Sequence, residues 1–273
     1  MRLAGMLLVT GPFTTMAEVV AELREPVETG AIQYDHPGAA LRPFLPAMAP
    51  YERLKTPQPP ERLILSDQGQ GLEPMEAIDA WVAQNVLEQE LAEINSLLCG
   101  PCSCRLCCVG PEEGMKQHFF EIPLQEEEIR HFVLPRHESK ESRASTSSSS
   151  PPLQLNDQPF FRARQAQLIH FQPGWSLIMP RESSCPNLDQ NSGGCTIYPE
   201  RPAVCRLPQI FAYSLERLAS HDLEHEGQTL PASSRENKLL AIWDCPYVQQ
   251  FQDEIAAYAG LCGLEPIFKK NKE

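Results

Sequence analysis

Five of the ten cysteines in this chain lie within ten residues, at Cys99, Cys102, Cys104, Cys107 and Cys108. A thiolate is a strong, soft ligand, and several held this close can share one metal centre. The other five are spread over the C-terminal half, at Cys185, Cys195, Cys205, Cys245 and Cys262. This layout predicts a site closed by one tight loop and by thiols that only the folding of distant segments can bring to it.

The rest of the composition narrows the setting. The 26 prolines require many loops and extended segments, because proline is excluded from helix and sheet interiors. With 36 acidic and 23 basic side chains the formal charge is −13, and no basic patch is present. Nucleic acid and anionic lipid are therefore not expected as partners. No apolar run approaches the roughly 18 to 20 residues needed to span a membrane. The apolar stretch Leu3 to Val9 lacks a small-residue cleavage site and is not read as a secretory signal. Met16-Ala-Glu-Val-Val reads as the opening of a helix and as an alternative start. A reducing, cytoplasmic setting is expected, where clustered cysteines more often hold metal or do redox chemistry than form disulfides.

Three regions are expected: a Pro-rich N-terminal extension over 1–72, a cysteine-cluster domain over 73–262 and a tail over 263–273. Residues of about 137–158, rich in Ser and charge, read as a disordered insert. Leu63-Ile64-Leu65 reads as a strand. The following Gly69 and Gly71 would begin a dinucleotide fingerprint, but its third glycine position is Pro74, so a turn is expected instead. From Pro74 to Leu98, apolar residues at spacings of three and four predict an amphipathic helix that delivers the chain into Cys99 and is stopped by Gly100 and Pro101. Phe119 to Leu124 reads as a strand broken by Pro123, and Gln125 to Val133 as a short helix headed by glutamates. The runs around Pro173-Gly174 read as a hairpin, Ile210 to Leu218 as strand or helix, and residues 246–260 as a closing helix.

Iron–sulfur clusters usually take four cysteines, often three from a tight loop and one from afar. Structural zinc takes four Cys or His ligands, often as two pairs. Nine thiols, leaving out Cys262, exceed four, so there is room for two centres, or for one centre and a reactive thiol pair. Cys107 and Cys108 are adjacent, and their side chains are expected to diverge from any single ion. Cys262, near a helix end, reads as an inert thiol. His118 and His170 are secondary candidates for a metal shell. His221 and His225 would share one face of a helix, but lack the His-Glu-x-x-His order of zinc proteases.

The distal segment reads Cys185-Pro-Asn-Leu, then Gly194-Cys195-Thr-Ile-Tyr198, then Arg201-Pro202-Ala-Val-Cys205-Arg206. It resembles the second half of the CxxCxxCC cysteine-cluster family, described as zinc- or iron-chelating, and Cys245 before Pro246 resembles that family's last cysteine. The resemblance covers roughly residues 99–250. In the first half, Cys104, Cys107 and Cys108 fit the last three family cysteines, but the first would fall at Pro101. Cys102 serves after a shift of one residue, and Cys99 is an additional candidate. The resemblance further implies that some members, including flagellin lysine methylases, are associated with an iron–sulfur cluster and methyl transfer. The expected metal ligands are thus Cys99, Cys102, Cys104, Cys107, Cys108, Cys185, Cys195, Cys205 and Cys245. Arg201 and Arg206 have a separate chemical role in prospect. Four thiolates around zinc, or around an oxidised four-iron cluster, carry a net charge of about −2, which guanidinium groups can offset.

The expected fold is α+β, compact, with loops converging on a cysteine-ligated centre. The expected cofactor is an iron–sulfur cluster, favoured by the density of the cysteine loop, or Zn2+. The expected function is metal binding, with a redox or methyl-transfer enzyme and a thiol redox sensor as alternatives. A protein partner is left open.

Overall fold

A computed structural model describes residues 1–29, 32–56, 59–102, 104–206, 209–225 and 228–270. Helices and several sheets are both present, so the fold is α+β as expected. The chain divides into two compact units.

The first unit comprises Met1–Leu91, Phe211–Leu240 and Ala256–Ile267. Its helices Arg2–Thr10 and Met16–Glu22 bury Ala4, Leu8, Met16 and Val19 in one cluster with Met48, Tyr51, Val82 and Val86. Thr15 and Glu18 cap the second helix reciprocally, which satisfies two otherwise orphaned N–H donors. The Pro-rich stretch contributes Met48 and Tyr51 to this core and is thus more structured than its composition suggests. Its prolines stand at the first positions of short helical turns, Pro37–Leu41, Arg42–Phe44 and Leu45–Met48, where a missing N–H costs nothing. Strand Leu63–Leu65 pairs parallel with strand Gln228–Ile242, which lies between strands Ile210–His225 and Glu265–Lys269. The segment after Cys205 is therefore a strand rather than a helix, and His221 and His225 do not lie on a helical face. Their side chains fall outside the described residues.

The second unit comprises Ala92–Ile210, Ala241–Ile255 and Phe268–Glu273. Its sheet runs in the order Phe119–Leu124, Gly174–Pro180, Gln167–Phe171 and Arg136–His137. The predicted hairpin is present: Phe171 pairs with Gly174, whose φ of 134° suits glycine. Leu168, Leu177 and Met179 face one core cluster and Ile169, Phe171 and Ile178 the other, so the central strands are buried on both faces. Pro123 does not break its strand. It pairs with Ser176 on an edge strand, where a missing donor is tolerated.

The Ser-rich segment is also ordered. Ser139 and Ser142 cap the helical turn Lys140–Arg143 reciprocally, Ser142 is buried, and Leu153 packs into the core against Phe160. Hydroxyls supply the local backbone with partners, and one buried leucine anchors the segment, which composition alone does not reveal. The C-terminal helical segment is two helices, Pro246–Gln250 and Gln252–Leu261, interrupted at Phe251.

Candidate metal centre

The long helix Pro74–Cys102 passes through Gly100 and Pro101 instead of stopping before them. Pro101 lies in the last turn, so its missing donor and its ring disturb only the end of the helix. The extension places Cys99 and Cys102, three residues apart, on one side of the final turn.

Two residues just before Cys99 organise the surrounding segments. Asn95 is fully buried and accepts a hydrogen bond from the Tyr247 hydroxyl, while its amide donates to the Ile210 carbonyl. That ties the helix to the segment carrying Cys245. The carbonyl of Ser96 accepts from the Tyr198 hydroxyl, and its side-chain oxygen accepts from the Arg201 guanidinium at 2.5 Å. That ties the helix to the segment carrying Cys195 and Cys205. A Cβ at Gly100 would stand 3.2 Å from the Tyr198 hydroxyl, so the helix and that loop are closely apposed.

The other end of the cysteine run is held by backbone pairing. Cys185 N–H donates to Cys108 C=O and Gly110 N–H to Ser183 C=O, both at 2.8 Å, around a bridge between Val109 and Ser184. A Cβ on Gly110 would stand 1.9 Å from the Pro180 carbonyl oxygen, so only glycine allows this approach. Leu188 bridges to Cys195, with Thr196 N–H donating to Asn187 C=O, and this pairing closes the loop between Cys185 and Cys195.

All nine expected ligands belong to the second unit. The thiols of Cys102, Cys104 and Cys245 lie within 4.8 Å of one another, and Cys245 is fully buried. A tetrahedral ion with metal–sulfur bonds of about 2.3 Å sets its sulfurs about 3.8 Å apart, so small side-chain movements suffice for this trio to share one ion. Within the trio, the neighbouring Cys245 thiol is the main influence lowering the Cys104 thiol to about 6. The neighbouring Cys104 thiol in turn raises Cys245. The Cys107 and Cys108 sulfurs lie 4.0 Å apart, and either can donate to the other. The adjacent pair therefore converges, contrary to the divergence expected from sequence. The bond to Cys108 is the main reason Cys107 is raised to about 12. Burial foremost, then the charges of Cys107, Cys185 and Cys195, push Cys205 to about 12. Thiols must lose their protons to bind metal, so metal binding at these sulfurs would be coupled to proton release.

Arg201 is 5% exposed and stacks over the Tyr198 ring at 4.2 Å. None of the ion pairs among the described residues involves it, and its Nε is buried without a partner. Its charge acts on Cys99 and on Cys205. A buried guanidinium is stabilised by a nearby anion, and thiolates at Cys99 and Cys205 would supply one. Arg206 instead donates to the Pro199 carbonyl. The secondary histidines are engaged elsewhere: His118 stacks on Phe161, and His170 stacks on Trp175 and contacts Glu138. Cys262 belongs to the first unit, where it hydrogen-bonds Tyr258.

Sequence reasoning missed Asn95, Ser96 and Tyr247. Asn95 carried a readable signal: it stands four residues after Leu91 on the apolar stripe, where a polar residue needs a specific partner. Tyr247 carried none, because its partner lies 152 residues away.

Residues 98–230 match the family model CxxCxxCC, described as a putative zinc- or iron-chelating domain. The match includes eight of the nine thiols, and the structure brings the ninth, Cys245, to Cys102 and Cys104. No curated protein and no solved structure is detectably similar to the chain. No helix among the described residues is long and apolar enough to cross a membrane.

Proposed function

We propose that this chain, whose residues 98–230 belong to the CxxCxxCC family, is a metal-binding protein that uses the Cys102, Cys104 and Cys245 thiolates to hold one tetrahedral ion, zinc before iron. The observation that carries this reading is the mutual approach of those three sulfurs within 4.8 Å. A four-iron cluster takes one thiolate per iron and a two-iron cluster at most two, whereas three sulfurs this close suit one shared ion. The donor set fits: all three are soft, and Asn95 and Tyr247 fix the backbone around them. When bound, the ion supplies a structural cross-link between the helix end and the Cys245 segment. The chain's own residues contribute the thiolates, hold their orientation and exclude water from Cys245. The setting we propose is the cytoplasm, whose reducing conditions keep all ten cysteines as free thiols.

Purification without oxygen, followed by metal and acid-labile sulfide analysis, tests this. A colourless protein with stoichiometric zinc and no sulfide is expected. A brown protein with sulfide would replace the ion by an iron–sulfur cluster. A folded protein free of metal would remove the function altogether.

A further inference from the structure

The Cys102, Cys104 and Cys245 sulfurs lie within 4.8 Å of one another. Sulfurs at that range can be joined by a covalent bond as well as by an ion, once a small movement brings two of them to the ~2.05 Å of a disulfide. The three differ in backbone setting and access. Cys102 is the last residue of the helix Pro74–Cys102, so its backbone is held by that helix. Cys104 lies beyond the helix end in irregular chain and is partly exposed. Cys245 is fully buried and stands at the head of the helix Pro246–Gln250. Cys104 thus combines access for a small solute with a backbone able to close the remaining gap. Cys245 comes from a segment distant in sequence, so a bond to it closes no short ring. The rival pairs lack one of these properties. A Cys102–Cys104 bond would close a ring across a single intervening residue. Cys107 and Cys108 have sulfurs 4.0 Å apart, but adjacent Cα atoms are only about 3.8 Å apart, closer than the roughly 4.4–6.8 Å of a relaxed disulfide.

We infer that this trio is also a peroxide-responsive switch, in which Cys104 and Cys245 form a disulfide that displaces the metal ion. The inference rests on the proposed metal site for what is released, while the disulfide itself needs only the two sulfurs. Peroxide reaches the partly exposed Cys104 before the buried Cys245. The Cys104 thiolate attacks one peroxide oxygen: an S–O bond forms, the O–O bond breaks, and hydroxide leaves and takes up a proton to become water. The sulfur is oxidised by two electrons and the peroxide is reduced. The Cys245 thiolate then attacks the Cys104 sulfur: the S–S bond forms, the S–O bond breaks, and the second hydroxide leaves as water with another proton. In sum, two thiols and one H2O2 give one disulfide and two waters. The thiolate is the form that binds metal, so of the trio only Cys102 is then left as a ligand and the ion departs. The new bond takes over the cross-link between the helix end and the Cys245 segment. The hydrogen bonds of Asn95 with Tyr247 and Ile210 hold those segments together in both states. The switch therefore reads out as metal release rather than as unfolding, and a dithiol reductant reverses it.

The test uses the full chain, purified without oxygen, loaded with Zn2+ and treated with stoichiometric H2O2. Released zinc is followed with a chromogenic chelator, and disulfides are mapped by mass spectrometry after alkylation of the remaining thiols. A Cys104–Cys245 disulfide is expected, formed at the rate at which zinc is released, with unchanged circular dichroism and with zinc rebinding after dithiothreitol. In Cys245→Ser, Cys104 should accumulate as a sulfenic acid and be labelled by dimedone. A disulfide at any other pair, a disulfide formed without zinc release, or oxidation to sulfinic acid with no disulfide would overturn the switch and leave the metal site standing. A Cys104–Cys245 disulfide in a chain that takes up no zinc would uphold the thiol pair as the redox element and overturn the metal reading instead. If Cys245→Ser does not fold, the disulfide map of the unaltered chain decides.

Discussion

Arg201 is the residue that best shows how chemistry and fold are joined here. Its planar group stacks on Tyr198 and donates to Ser96 from a buried position, and its charge favours the thiolates of Cys99 and Cys205. Arginine combines stacking with directed donors, which an ammonium group cannot reproduce. Arg201→Met keeps the bulk and removes the cation, so thiolate charge is left without its buried counterion. Groups that support metal ligands typically contribute 10- to 100-fold, so metal affinity is predicted to fall by about that factor. Arg201→Lys should not restore it. Competition against a chelator measures the affinity. Unchanged affinity with reduced folding stability would assign Arg201 to packing alone.

Among the elements, the helix Pro74–Cys102 positions most of the site. Its apolar spacing and its delivery of Cys99 are legible in the sequence, whereas its end is not. Gly100-Pro101 is a stop signal by local rules, and the helix continues because the contacts of Ser96 with Tyr198 and Arg201 hold the final turns in place. Local signals also misread Pro123 and the serine-rich segment, since an edge position and a buried Leu153 are properties of the assembled sheet. Asn95→Ala tests the helix as an organiser. It strands the Tyr247 hydroxyl and the Ile210 carbonyl, and leaving a buried polar group unpaired costs about 1–3 kcal/mol. Urea denaturation should show a loss of that order, and the metal held by Cys245 should become easier to remove. A loss of stability with unchanged metal retention would separate the Tyr247 contact from the site.

At the scale of the whole molecule, the clustering of thiols was legible in the sequence, and Cys102, Cys104 and Cys245 do approach one another. Which distal thiol joins the loop was not, because it depends on contacts such as Asn95 with Tyr247 that join residues far apart in sequence. Every one of the nine expected ligands falls in the second unit, while the first unit has its own apolar core around Leu8, Met48 and Tyr51. Metal binding and folding are coupled where ligands come from separate segments, so stability gained from metal should reside in the second unit. X-ray absorption at the metal edge of the intact, anaerobically purified chain tests the central claim most directly. It should show a first shell dominated by sulfur, with at least three sulfur neighbours at about 2.3 Å. A first shell of nitrogen and oxygen, or a metal-free folded chain, would contradict it.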